Sequence, residues 1–197
     1  MSEKDRFAAM MEKSAALKLR IARELGDCVV GVVDACERSL TTGGKLMFCG
    51  NGGSAADSQH LATEMLVRLR PHKDRAPIAA LALTLDPALL TAGGNDYGYD
   101  SVFERPLRAL GRKGDVLFGI TTSGRSRNVI LALEAAREMG IVTVGLLGGT
   151  GQPALAACDL SLLVPDTETA RIQECHITLG HAVLELLEDR LIARGAV

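Results

Sequence analysis

Tryptophan is absent from these 197 residues, and only two tyrosines and four phenylalanines are present. So small an aromatic content leaves few faces on which a nucleobase or a sugar ring could stack. Neither sign of charge is in excess: 22 Lys+Arg stand against 24 Asp+Glu, for a net charge of -2. That balance argues against a nucleic-acid polyanion as the main partner. Long hydrophobic runs are missing too. The longest, such as Ile78 to Leu83, fall far short of the roughly 20 residues that a membrane-spanning helix needs. The opening Met1-Ser2-Glu3-Lys4-Asp5-Arg6 is too charged for a secretory signal and no apolar run follows it. The five cysteines are odd in number, irregularly spaced and form no C-x-x-C pair. We therefore expect a reduced, cytoplasmic protein with neither a disulfide framework nor a cysteine zinc site.

What is present is an apolar fraction of 47%, ample for a folded core. Phe7, Met10, Met11, Leu17, Ile21 and Leu25 fall near one stripe of a first helix. Gly26-Asp27 breaks it and opens a second helix, carrying Val29, Val30, Val33, Cys36 and Leu40, which stops at Thr41-Thr42-Gly43-Gly44. Five short apolar runs follow: Lys45 to Cys49, Ile78 to Leu83, Val116 to Ile120, Ile141 to Leu147 and Leu160 to Val164. Helical stretches separate most of them. Continuous apolar runs alternating with helices predict a parallel sheet buried on both faces. From about Glu168 to Leu191 the pattern is apolar nearly all round, as for a helix central to a core or to a subunit interface. No repeat, linker or low-complexity tract divides the chain, so the expectation is one three-layer α/β domain over residues 1–197.

In open parallel sheets, ligands sit beyond the carboxyl ends of the strands, where helix N-termini offer unpaired N–H groups. Two such junctions carry unusual chemistry here. Gly50-Asn51-Gly52-Gly53-Ser54 follows the first strand, and Thr121-Thr122-Ser123-Gly124-Arg125-Ser126 follows the third. Glycines let a backbone approach a ligand closely, and clustered hydroxyls at a helix start suit an anion. A phosphorylated small molecule fits both. The plain alternative is that the Ser and Thr side chains only cap helices. A dinucleotide fingerprint is matched formally by Gly50-x-Gly52-x-x-Ala55, but no acidic residue closes the second strand at the required offset: Asp74 precedes that strand and Asp86 lies well beyond.

His60 and Glu64 stand one turn apart on a helix, where both could ligate a metal or form a simple ion pair. The last helix adds Gln173, Glu174, His176 and His181. An imidazole in so apolar a setting needs a partner or a task. Gln173 and His181 are eight residues apart, about 12 Å along a helix, so spacing alone does not bring them to one metal.

Taken together, Gly50-Asn51-Gly52-Gly53-Ser54-Ala55-Ala56-Asp57, Gly94-Asn95-Asp96-Tyr97-Gly98-Tyr99-Asp100, Gly114-Asp115-Val116-Leu117, Thr122-Ser123-Gly124 and Arg171-Ile172-Gln173-Glu174-x-His176 resemble the bacterial phosphoheptose isomerase family of the sugar isomerase (SIS) domain superfamily. The resemblance runs from about residue 1 to residue 193. It implies a flavodoxin-like five-stranded parallel sheet with helices on both faces, preceded by two N-terminal helices. It also implies a homotetramer with active sites built between subunits. The implied reaction is conversion of sedoheptulose 7-phosphate to D-glycero-D-manno-heptose 7-phosphate, toward nucleotide-activated heptose for lipopolysaccharide or other surface glycans. Position by position, the resemblance implies that Asn51, Gly52, Gly53, Ser54, Asn95 and Asp96 bind the sugar, while Thr121, Thr122, Ser123 and Ser126 hold its phosphate. His60, Glu64, Gln173 and His181 match the family's zinc ligands, Glu64 and His181 its acid–base pair, and Arg68 a basic residue near the site. Glu64 and Gln173 would also touch substrate. Thr121 stands where the family commonly has Ser, and Gly148-Gly149-Thr150-Gly151 shortens the loop after the fourth strand.

Two other kinds of protein share part of this pattern. Some proteins resembling this family are non-catalytic tetrameric scaffolds that bind the bacterial replication initiator; they keep the glycine loop and the Arg-Ile-Gln-Glu-x-His segment but lack the matching Glu and second His. Glu64 and His181 are both present here. Other SIS isomerases act on arabinose 5-phosphate or on amino sugar phosphates, which Asn95-Asp96 and the His60/Glu64 pair fit less well.

Overall fold

The structure, a computed structural model, describes residues 1–84 and 86–197. Helix α1 (Glu3–Glu24) opens with a reciprocal cap in which Ser2 Oγ accepts from the Asp5 N–H and Asp5 accepts from the Ser2 N–H. It breaks at Leu25, and α2 (Gly26–Thr41) follows at once. Only the second half of the α1 stripe is buried: Leu17 and Ile21 pack inward, whereas Phe7, Met10 and Met11 are exposed. The apolar stripe does form a helix, but among the described residues the side chains of Phe7, Met10 and Met11 stay largely in solvent.

Five strands form one all-parallel sheet, in the order β2-β1-β3-β4-β5. They are β1 (Leu46–Gly50), β2 (Ala80–Ala82), β3 (Val116–Thr121), β4 (Val142–Gly148) and β5 (Leu160–Val164). The second apolar run gives only three strand residues. β2 is an edge strand of Ala80, Leu81 and Ala82, and the flanking Ile78 gives its N–H to the Met65 carbonyl instead of to the sheet. The other helices are α3 (Gly53–Leu66), α4 (Pro87–Tyr97), α5 (Glu104–Leu110), α6 (Arg127–Glu138) and α7 (Thr169–Ala193), with short 3-10 turns at Tyr99–Ser101 and Ala154–Ala157. The second of those turns, not an α-helix, joins β4 to β5.

Strand alternation divides the core into the two faces that the continuous apolar runs predict. Leu46 and Phe48 of β1, with Phe118 and Ile120 of β3, face a layer built from α1, α2, α3 and α7. Met47, Cys49, Leu117 and Leu147 face α5 and α6. Phe48 and Phe118 are register partners on adjacent strands, and their rings stack with centroids 4.8 Å apart. Full burial of each such side chain contributes about 1.5–3 kcal/mol.

Helix α7 is anchored by its own polar residues. Arg171 is buried, donates to the Met10 carbonyl of α1 (2.8 Å) and pairs with Glu174, which in turn accepts from Ser14 of α1 (2.6 Å). His176 is fully buried and its Nε2 donates to the Leu147 carbonyl at the end of β4 (3.1 Å). Burial pushes the His176 pKa down to about 4, so the ring is neutral. Helix α3 runs parallel to α7: Gly53 lies against Gln173, Leu61 against Gly180 and His60 against His181. A Cβ on Gly180 would come within 2.7 Å of the Leu61 side chain, so the missing side chain sets the spacing of these two helices.

Candidate active site

The strand order reverses between β1 and β3, which is where an open α/β sheet offers its binding crevice. Both candidate loops sit there, because Gly50 and Ile120 are register partners at the strand ends. In the 121–126 turn, the Thr121 and Ser126 hydroxyls bond to each other at 2.9 Å, and Ser123 Oγ accepts from the Arg125 N–H. Gly124 has φ +67°, and a Cβ there would lie 2.4 Å from the Gly151 backbone, so only glycine fits. Beside the turn lies a cavity of about 300 Å³ lined by Thr122, Ser123, Arg125, Gly149, Thr150 and Thr167. Its donor hydroxyls and the Arg125 guanidinium suit a phosphate group, with the Asp166 carboxylate also at its edge opposing one. Thr121 is buried beneath the turn, and its hydroxyl orients Ser126.

In the glycine loop, Asn51 is held by Asn128, which no sequence motif announces, and by Tyr99 of the 94–100 motif. Asn128 Oδ1 accepts from the Val129 N–H (3.0 Å), which fixes the orientation of the Asn128 amide. The same oxygen accepts from Asn51 Nδ2 (2.8 Å), while Asn51 Oδ1 accepts from Asn128 Nδ2 (2.9 Å) and from the Tyr99 hydroxyl (2.8 Å). One N–H of Asn51 remains to donate outward. Ser54 is buried in the first turn of α3, and Gly52 precedes that turn with φ +57°.

The chemistry-bearing side chains meet on the α3–α7 seam. His60 Nε2 lies 2.8 Å from His181 Nε2 and 3.3 Å from Glu64 Oε1. One ligand atom from each of the three residues falls within 4.8 Å of the other two. Two imidazole nitrogens and a carboxylate oxygen are zinc's preferred donors, and ligands about 2.0–2.1 Å from a tetrahedral zinc stand about 3.3–3.4 Å apart. The trio fits such an ion once the His60–His181 hydrogen bond opens slightly. Three residues before His60, burial raises the pKa of half-buried Asp57, whose Oδ2 has no hydrogen-bond partner.

Other expected residues lie elsewhere in the chain. Gln173 occupies the space a Cβ on Gly53 would take, its Nε2 only 2.4 Å from that point. That places it at the glycine loop, about two turns of α7 before His181. Within one protomer, then, His60, Glu64 and His181 come together, and Gln173 lies against Gly53 at the start of α3. Arg68 is exposed just beyond the end of α3. Asn95 and Asp96 are exposed on α4, where Asn95 donates to Asp96 (2.7 Å) and Asp96 borders a separate cavity with Tyr97 and Arg105.

This combination defines a flavodoxin-like α/β protein with a phosphate-type turn at the switch point and a potential metal centre on a helix seam. The SIS domain family model matches residues 10–148, and the chain belongs to that family. Within it the chain groups with enzymes. It is 51% identical over 183 residues to the phosphoheptose isomerase of Chlorobium phaeobacteroides, covering 92% of this chain and 80% of that protein. It is 51% identical over 170 residues to that of Rhodospirillum rubrum, covering 85% of this chain and 89% of that one. A solved phosphoheptose isomerase from Neisseria gonorrhoeae superposes with a TM-score of 0.89 at 43% identity, over 95% of this chain and 100% of that chain. One from Francisella tularensis gives 0.91 at 33% identity, over 96% and 100%.

Proposed function

We propose that this protein interconverts sedoheptulose 7-phosphate and D-glycero-D-manno-heptose 7-phosphate, the first step toward nucleotide-activated heptose. The observation that carries the reading is the convergence of Glu64 and His181 within one cluster on the α3–α7 seam. Aldose–ketose exchange moves a proton between adjacent carbons through an enediol. It needs one group to take a carbon-bound proton and another to protonate or deprotonate the neighbouring oxygen. A carboxylate and an imidazole this close can serve one pair of adjacent carbons. Glu64 and His181 perform the transfers, the 121–126 turn holds the phosphate, and the free N–H of Asn51 orients a sugar hydroxyl. His60, Glu64 and His181 would hold a zinc ion, which when bound supplies Lewis-acid polarisation of sugar oxygens. Gln173 serves as a fourth ligand only from another subunit or after α7 shifts.

We further propose a homotetramer with shared active sites, in the cytoplasm. Support comes from exposed Phe7, Met10 and Met11 on α1 and from an apolar groove that includes Leu25, Val29, Val30 and Leu186. Among the described residues no helix is long and apolar enough to cross a membrane. The scaffold alternative gains no support from the relatives.

The test is incubation with sedoheptulose 7-phosphate, followed by NMR, with and without a chelator. Product that forms with metal and fades on chelation supports the assignment; absence of turnover by the metal-loaded protein refutes it.

A further inference from the structure

We infer that Arg75 is a positioning residue that holds His60 and Glu64 in register with His181 by clamping the end of α3 to α7 through Glu188. This rests on the seam being the proton-transfer centre, as proposed above. The segment between α3 and β2 carries Arg75 inward until its side chain, like that of Glu188, is wholly buried. There Nη2 donates to the Glu64 carbonyl (2.7 Å), Nη1 to the carbonyls of Met65 (2.9 Å) and Ala76 (3.0 Å), and Nε to Glu188 Oε1 (2.6 Å).

Two of these acceptors are terminal carbonyls of α3, which have no partner inside the helix. One of them is the backbone of Glu64 itself. The third tie is to α7, where Glu188 lies seven residues beyond His181, about two turns along the same helix. A single planar guanidinium therefore bridges the backbone of one proposed proton-transfer residue to the helix that carries the other. Glu188 has a second partner: its Oε2 accepts from Arg70 Nε at 2.7 Å. Neutralising Glu188 consequently does not require Arg75. The feature that only Arg75 supplies is the fork from carboxylate to helix end, which a lysine ammonium cannot reproduce.

Arg75→Lys separates positioning from stability, because it leaves a buried cation beside Glu188 and removes the fork. The full chain would be compared with Arg75→Lys, and with Arg108→Gln as a control in an exposed ion pair remote from the seam. Three readouts apply: imidazole nitrogen shifts of the metal-free protein, zinc affinity against a chromogenic chelator, and kcat and KM with sedoheptulose 7-phosphate. Arg75→Lys should stay folded yet shift the His60 and His181 resonances. It should weaken zinc binding about ten-fold or more, as losses of residues supporting metal ligands do, and lower kcat far more than it changes KM. Unchanged imidazole shifts with unchanged zinc affinity would overturn the positioning role, whatever the activity. If the parent binds zinc but does not turn over the sugar phosphate, while Arg75→Lys still disturbs the imidazoles, the positioning stands and the substrate assignment falls.

Discussion

The turn after β3 and the seam between α3 and α7 are built on opposite plans. The turn is six consecutive residues whose hydroxyls bond one another across five positions, from Thr121 to Ser126. The seam joins His60 to His181 across 121 positions and depends on how two long helices pack. The turn's hydroxyl pair needs only its own six residues, whereas the seam needs two helices held at the right distance by neighbouring packing such as Leu61 against Gly180.

The largest effect should come from striking the seam directly. Glu64→Gln and His181→Ala should each lower kcat by about 10²- to 10⁴-fold, the usual contribution of a positioned acid or base. Retained saturation by substrate would show that the turn still works. Near-normal turnover in either variant would remove that residue from the mechanism. The next effect concerns His176, which ties α7 to β4 between the two regions. Its pKa is about 4 in the folded protein against 6.5 as its ordinary value. Below pH 6.5 the unfolded chain takes up a proton that the folded one refuses, so stability is flat above 6.5 and falls as pH drops from 6.5 toward 4. The loss should approach about 3 kcal/mol at the low end, measured by denaturant unfolding, and should vanish in His176→Leu.

Widening the seam without touching a chemical group is a subtler break. Gly180→Ala forces a methyl against Leu61 and should cost about 1–3 kcal/mol by overpacking. Its kinetic signature is a fall in kcat with little change in KM, opposite to Gly124→Ala in the turn, which should raise KM. Smallest is the loss of one hydroxyl contact. Ser126→Ala should cost about 0.5–1.5 kcal/mol of substrate binding or stability, read as a modest rise in KM, and a double cycle with Thr121→Val should show the two are coupled.

The same contrast explains what could be read in advance. Contiguous features were legible: the glycine loop, the hydroxyl turn, and His60 with Glu64 at a spacing of one turn. The parallel sheet was legible from buried apolar runs, except that β2 proved shorter, its flanking Ile78 bonding the end of α3 in place of the sheet. Residues that act through three-dimensional proximity were not. Nothing in the sequence marks Asn128 as holding Asn51 or Arg75 as reaching the end of α3, and the motif containing Tyr99 does not show that its hydroxyl meets Asn51. Spacing alone leaves open whether Gln173 and His181 share a metal; on α7 Gln173 lies against Gly53, about two turns before His181. The segment Arg171-Ile172-Gln173-Glu174-x-His176 looks like a chemical signature, yet Arg171, Glu174 and His176 fasten α7 to α1 and β4.

One missing side chain carries a geometric implication. Because Gly180 rests on Leu61 next to His181 and His60, any bulk at position 180 would alter the distance between the two imidazoles. The geometry of the reactive groups thus answers to a position that carries no reactive atom itself.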